Sequence, residues 1–376
     1  MDSKTTERPS VSIIGAGLIG LVCGRTLAKM GFRVQIFEQH SMIGGMLAPV
    51  RVGNESLELI PHHLRKQDKH ILELYTELGL NDRLEWFDAC WYGKARTRKL
   101  GYPQDGFRSL LTAMNQDITD RNGIIYYGHT VIDIRRNGEN TDIPPPTQTA
   151  PFPRPQTTAA QSAQAYSLSC VLENGSTVVF GTDIVLYTAS CRNFANITNH
   201  LGLPTDYTDP LMDVTYMGNL CLLLLSKKHC TDCYSKPFPT TAPFQKVIEH
   251  TNLVGLRNYG GHILYLTGAM QPTDPLWTQS DADVYNVCIN HLRKLTPGLS
   301  KKDILSWRLT RTRYALPTAQ ASTGLRIADT GIYLCSMSMS TVDNNEFRMD
   351  SCVEIALESC KIIEKRHTLS TTRRNT

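Results

Sequence analysis

Between Val11 and Phe37 two short apolar runs flank the turn Gly15-Ala16-Gly17-Leu18-Ile19-Gly20, and this arrangement leaves few folds open. Val11 to Ile14 reads as a short buried strand. A helix pattern follows the turn to about Met30 and stops at Gly31, and Arg33 to Phe37 reads as a second strand ending at Glu38. Strand, glycine turn, helix and strand within about thirty residues form the βαβ unit in which a G-x-G-x-x-G turn cradles a dinucleotide. Gly15 permits the tight turn, Gly17 lets backbone approach a pyrophosphate, and Gly20 lets helix and strand pack closely. The helix start then offers unpaired N–H groups and the positive end of its dipole to the phosphates. A carboxylate at Glu38 accepts hydrogen bonds from the adenosine ribose and disfavours a 2′-phosphate. The bland alternative is a glycine turn in an α/β core with no ligand. Strand, glycines, helix, strand and acid in register favour the ligand.

A chain of 376 residues exceeds one average domain, so two lobes are expected. With 41% hydrophobic and 20% charged residues, it is neither wholly disordered nor fibrous. The net charge is +4, and Lys361, Lys365, Arg366, Arg373 and Arg374 against Glu364 also sum to +4. The rest is formally neutral, which argues against a nucleic-acid groove. The eleven cysteines lie mostly inside apolar runs, the pattern of reduced core thiols in a cytoplasmic protein. Cys230-Thr231-Asp232-Cys233 reads as a loop before Pro237 and Pro239, and without a second ligand pair no metal site is expected. Val11 to Gly24 is too short and too glycine-rich to span a bilayer, so no transmembrane segment is expected.

Further on, helices are expected over roughly Asp68 to Leu78 and Phe107 to Arg121. Strands follow at Ile124 to Tyr127, Val131 to Arg135, Tyr166 to Leu172, Val178 to Phe180 and Asp183 to Tyr187. Residues 141–165, rich in Pro, Thr, Gln and Ala, read as a disordered hairpin insertion. Ser280 and Asp283 suggest a capping box opening a helix that Pro297-Gly298 ends. A strand from Gly331 to Cys335 and a helix from about Asp350 to Ile363 close the chain before a basic tail at 367–376.

The segment VSIIGAGLIGLVCGRTLAKMGFRVQIFEQHSMIGGM, with Gly44-Gly45 six residues past Glu38, resembles the FAD-binding start of the flavin-containing amine oxidase superfamily. Protoporphyrinogen oxidase, phytoene desaturase and UDP-galactopyranose mutase belong to it. GIIYYGHTVIDI, DIVLYTAS and GIYLCSMSM resemble its later FAD-contacting stretches more weakly. Two departures stand out. Ser336-Met337 follow Cys335 where the superfamily often has Gly-Asp, and Tyr102-Pro103-Gln104-Asp105-Gly106 lacks one glycine of a Tyr-Pro-x-Gly-Gly turn.

The resemblance implies a Rossmann-like FAD-binding domain with a β-meander, made of residues 1–95, 123–193 and 310–366. A second α+β substrate domain would comprise 96–122 and 194–309. The implied cofactor-binding set is Gly15, Ala16, Gly17, Leu18, Ile19, Gly20, Glu38, Gln39, Gly44, Gly45, Met46, Val131 and Ser336. Pro61-His62-His63-Leu64 resembles a mutase stretch whose His sits near the flavin, so His62, or else His63, is the candidate acid/base; the alternative is a loop histidine satisfied by backbone. Alternation places Arg311 and Arg313 on one strand face, able to grip an anionic substrate beside Tyr314, or else to lie on a solvated edge strand.

The expected activity is FAD-dependent transfer of a hydride from a small organic substrate, with O2 or another acceptor reoxidising the flavin. The alternatives are a flavin-dependent isomerase acting on a sugar nucleotide, a non-catalytic nucleotide-binding protein, and NAD in place of FAD. Oligomeric state is not legible.

Overall fold

The computed structural model describes residues 8–94, 97–138, 164–239, 242–318, 321, 330–340, 342–343 and 346–373. The insertion expected at 141–165 lies outside these residues, apart from Gln164 and Ala165. From the start the elements are β1 (Ser10–Ile14), α1 (Leu18–Lys29), β2 (Arg33–Phe37), β3 (Pro49–Val52), β4 (Glu55–Glu58) and β5 (Leu64–Arg65). Next come α2 (Lys69–Glu77), β6 (Leu84–Ala89), β7 (Arg98–Phe107), α3 (Arg108–Thr119), β8 (Ile124–Tyr126) and β9 (His129–Arg136). The middle holds β10 (Tyr166–Leu172), β11 (Thr177–Thr182), β12 (Ile184–Tyr187), α4 (Cys191–Thr198), α5 (Thr205–Met212) and β13 (Tyr216–Ser226). Then follow β14 (Ser235–Pro237), β15 (Lys246–Glu249), α6 (Thr251–Val254), β16 (His262–Met270), α7 (Pro275–Thr278) and α8 (Asp281–Leu295). The last are β17 (Ile304–Pro317), β18 (Ile332–Leu334) and α9 (Met349–Arg373).

The chain divides into two compact units. The first, Met1–Gly45, Leu111–Val214 and Ala319–Thr376, is built on a parallel sheet of order β18-β12-β1-β2-β8. Its strands are largely apolar because parallel sheets are covered on both faces: Val11, Ile13, Ile184, Leu186 and Leu334 are fully buried. α1 lies on β2 at Gly24, where a Cβ would stand 2.6 Å from Ile36 Cδ1 and 3.4 Å from Ile118 Cδ1 of α3. β9, β10 and β11 form an antiparallel meander, and Tyr166 pairs with Arg136 where the insertion joins its two strands.

The second unit, Met46–Leu110 and Thr215–Thr318, centres on an antiparallel sheet of order β14-β15-β16-β13-β17. Leu220, Leu222 and Leu224 alternate onto one face of β13 and meet Val284, Cys288, Ile289 and Leu292 of α8. Cys221 and Leu223, on the other face, are buried too, so the central strand reads as a leucine run rather than alternating. Ser280 caps α8 by accepting the Asp283 N–H, and its hydroxyl donates to the Asp283 carboxylate.

The lobe boundaries expected from sequence differ from this packing. Residues 46–95 join the second unit because Glu58 bonds Tyr102, Phe107 and Tyr265. Residues 310–317 belong there as well, because β17 pairs with β13 from Ile304 to Thr312 and, past an irregularity, again at Leu316 and Pro317. Leu111–Thr119 of α3 and 194–214 belong to the first unit; Ile118 backs α1, and His200 bonds the Ile134 carbonyl. The basic tail expected at 367–376 is helical to Arg373, since neither Gly nor Pro interrupts α9.

Candidate dinucleotide site

The carboxyl ends of β1, β2, β12 and β18 lie on one edge of the parallel sheet, and β1 stands where the strand order reverses. Open α/β sheets bind ligands in this place. The turn Gly15–Gly20 follows β1, Glu38 follows β2, Thr188 follows β12, and Ser336 stands two residues past β18.

The three fingerprint glycines do three different things. Gly15 has φ +103, a conformation that side chains resist. Gly20 admits no Cβ, which would stand 1.9 Å from the Gly15 carbonyl oxygen. Gly17 is the opposite case: its φ of −73 suits any residue, and a Cβ there would meet no heavy atom within 4 Å. It is the N-cap of α1 and provides no side-chain cap, so the N–H groups of the first turn face that open space. Glycine at this position leaves room that the fold itself does not fill.

Glu38 is 6% exposed, and each oxygen accepts one main-chain bond, Oε2 from Ala16 N–H and Oε1 from His40 N–H, both at 2.9 Å. A carboxylate has about four lone-pair sites, so accepting capacity remains for a ribose. Gly44 donates its N–H to the Ala16 carbonyl at 2.8 Å and bridges Gly17, and a Cβ on Gly45 would stand 3.3 Å from Gly17 Cα. The second glycine pair therefore lies against the first turn. An uncapped helix start, an unfilled space and a buried carboxylate beside it fit a diphosphate joined to a sugar.

The other expected contacts vary. Leu18 and Ile19 open α1, and Gly45 with Met46 begins a short 3-10 turn. Gln39 is exposed and bonds His40. Val131 is half-buried on β9, whose start is fastened to β2 by His129 N–H on the Glu38 carbonyl. Ser336, at the position of the glycine in the superfamily's Gly-Asp pair, is 2% exposed and accepts the Ser338 hydroxyl at 3.2 Å, so it faces inward; Met337 stands at the aspartate's position. Thr188 was not anticipated. Its hydroxyl donates to the carbonyls of Ile14 and Gly15 and supports the glycine turn. A small polar residue straight after a buried strand is the signal that could have found it.

In the second unit, His62 and His63 have partners of their own. His62 is half-buried with Nδ1 at 2.7 Å from the Ile60 carbonyl, which fixes Nδ1 as the protonated nitrogen. Burial pushes its imidazole down to about 4, against the opposing pull of that bond, so the ring is neutral at physiological pH. His63 Nδ1 lies 3.3 Å from the Tyr234 hydroxyl. Arg311 is bonded to Asp281 at 2.5 Å and to the Gln279 carbonyl at 2.7 Å, which ties β17 to the start of α8. The Arg313 guanidinium lies over the Tyr314 ring, and β17 is an edge strand. Among the described residues no group of three or more His, Cys, Asp and Glu is placed to hold a metal ion, and no helix is long and apolar enough to cross a membrane.

What fold and turn define together is a Rossmann-like α/β unit with an added antiparallel-sheet unit. Residues 13–78 match the family model described as an NAD(P)-binding Rossmann-like domain. The chain is 34% identical over 77 residues to the 15-cis-phytoene desaturase of Synechococcus elongatus, covering 20% of this chain and 16% of that protein. It thus spans about a sixth of the length of the curated relatives it matches. A protein of Exiguobacterium sp. 255-15 assigned as a protoporphyrinogen oxidase shares the fold with TM-score 0.72 at 11% identity, over 97% of this chain and 100% of that one. Putrescine oxidase bound to putrescine matches with TM-score 0.62 at 10% identity, over 95% and 99%. The fold is shared with these oxidases, and the N-terminal sequence is similar to that of the phytoene desaturase.

Proposed function

We propose that the chain is an FAD-dependent oxidoreductase that oxidises a small organic substrate. The observation that carries this reading is the open space over Gly17, framed by an uncapped helix and by Glu38. The first unit would hold the nucleotide through main-chain N–H groups of the turn Gly15–Gly20, the ribose through Glu38, and the rest of the diphosphate along Gly44-Gly45. Bound there, the isoalloxazine supplies the hydride acceptor; the protein supplies position and exclusion of water. Glu38 favours FAD over a 2′-phosphorylated nucleotide because its charge would repel the added phosphate.

The second unit would take the substrate. His62, neutral and with Nε2 as its accepting nitrogen, is suited to receive the proton that the substrate's N–H, or a neighbouring C–H, releases when the hydride leaves. Arg313 and Tyr314 remain candidates for substrate contact, whereas Arg311 already holds Asp281. Purified protein should be yellow and release FAD on denaturation. A screen of amines and allylic substrates should give turnover that His62→Gln lowers by ~100-fold or more, as loss of an acid/base group does. Turnover unchanged by His62→Gln would remove that residue from the chemistry.

A second reading is favoured by one feature. Met337 stands where the superfamily often has an aspartate, and Ser336 before it is turned inward on Ser338, which suits a flavin-binding protein without catalysis. Flavin retention with no reduction by any substrate of the screen would support it.

A further inference from the structure

Glu58 ends β4 and is 2% exposed. Carboxyls buried so deeply are ordinarily paired with a cation, yet among the described residues the largest effects on Glu58 come from burial, Phe107, Tyr102 and Asp105, none of them a cation. Its oxygens accept from the second unit's own scaffold: Oε1 from Phe107 N–H at 2.7 Å, Oε2 from the Tyr102 hydroxyl at 2.8 Å. Its carbonyl accepts the Tyr265 hydroxyl at 2.8 Å, so β4, β7 and β16 meet at this residue. The packing there is close: a Cβ on Gly106, which has φ +64, would stand 2.6 Å from Oε1. Four residues further along, the His62 ring meets the Phe107 ring edge-on at 6.4 Å between centroids. The carboxylate thus grips the main chain of the very residue His62 leans on.

We propose that Glu58 is a positioning residue for His62: gain or loss of a proton at its carboxyl resets Phe107 and, with it, the His62 ring. The catalytic meaning of this coupling rests on the proposed reading of His62 as an acid/base. As a carboxylate, Glu58 satisfies two donors. A proton on either oxygen removes the charge that strengthens both bonds and makes that oxygen a poorer acceptor, so the Phe107 N–H and Tyr102 hydroxyl bonds lengthen. The titratable groups facing it are Tyr102 and Asp105 from β7, Tyr265 from β16 and Tyr75 from α2, with Tyr234 and Tyr259 from the loops before β14 and β16. Burial pushes all five tyrosines up, so they stay protonated while Glu58 titrates. Burial also pushes the Glu58 carboxyl up to about 7; the Phe107 and Tyr102 bonds oppose it and the Asp105 charge adds to it. The proton therefore exchanges near neutral pH.

The test is a pH titration of the histidine Cε1–H NMR signals of the full chain with whatever flavin it retains. His62→Gln identifies the His62 signal by its loss. In the unaltered protein that signal should step near pH 7, well above the ring's own titration. Glu58→Gln keeps an acceptor for Phe107 N–H and cannot titrate, so the step should vanish. Tyr102→Phe removes a bond that favours the charged carboxyl, so the step should move to higher pH. No step, a step that persists in Glu58→Gln, or a downward move in Tyr102→Phe overturns the proposal. Flavin bound without the step would refute the coupling alone. A step in a chain that binds no flavin would refute the flavin reading and the catalytic meaning of the coupling with it.

Discussion

Gly17 separates folding from binding, and Gly17→Ala exploits that. Its φ of −73 and ψ of −176 are open to alanine, and the new Cβ meets nothing within 4 Å, so the folded chain pays no steric cost. Replacing glycine where alanine fits stabilises by about 0.4–1 kcal/mol through the unfolded chain. Alanine caps a helix less well than glycine, which costs about 0.5 kcal/mol. These nearly cancel, and in a domain of this size Tm should stay within about 2 °C. A ligand fares differently. The methyl enters the space in which a diphosphate would lie against the first turn of α1. Losing two main-chain bonds to an anion at about 1.5 kcal/mol each gives about 3 kcal/mol, or roughly a hundredfold in Kd. Thermal melts of protein stripped of nucleotide and a titration of it with FAD followed by flavin fluorescence measure the two effects on the same samples. Binding within about threefold of the unaltered chain, on the logarithmic scale of affinities, would mean that the diphosphate does not lie over Gly17. A melt lowered by many degrees would mean that the space is not open.

Gly20→Ala should do the reverse: its Cβ falls 1.9 Å from the Gly15 carbonyl oxygen, so a loss of about 3 kcal/mol or more is expected, read as a collapse of Tm with or without FAD. Glu38→Gln presents an NH2 to either Ala16 N–H or His40 N–H and loses one charge-assisted bond; that costs about 1.5–3 kcal/mol, visible as a lower Tm together with weaker FAD binding. His250 is 2% exposed, and burial, joined by the nearby Arg257 and His63 charges, pushes its imidazole down to about 3. The unfolded chain takes up that proton below about 6.5 while the folded one does not, so stability falls as pH drops from 6.5 toward 3, by about 2 kcal/mol at pH 5. Denaturant melts at pH 5 and 7 should show this slope reduced in His250→Gln; an unchanged slope would place its origin elsewhere.

The nucleotide turn was legible because its constraints are local. Gly15, Gly17 and Gly20 answer to one strand, one helix and one turn, and Glu38 lies at a fixed distance along the same βαβ unit. Lobe boundaries were not legible in the same way. What places residues 46–95 with the second unit is contact over long sequence distance, Glu58 with Tyr102, Phe107 and Tyr265, and no periodicity encodes it. The same holds for Arg311, whose strand alternation was readable while its partner Asp281, thirty residues earlier, was not. Thr188 and Ser336 fall between these cases. Their places after parallel strands follow from pattern, but the direction of each hydroxyl depends on neighbours such as Ser338.

The most direct measurement is the identity and stoichiometry of the nucleotide that the purified chain retains, read by mass spectrometry after denaturation and by titration of stripped protein. One FAD per chain, bound roughly a hundredfold more weakly in Gly17→Ala while the melt of the stripped chain is preserved, is the expected result. Saturation by NAD but not by FAD, or no binding of either nucleotide by a chain that melts cooperatively, would contradict a flavin at the glycine turn.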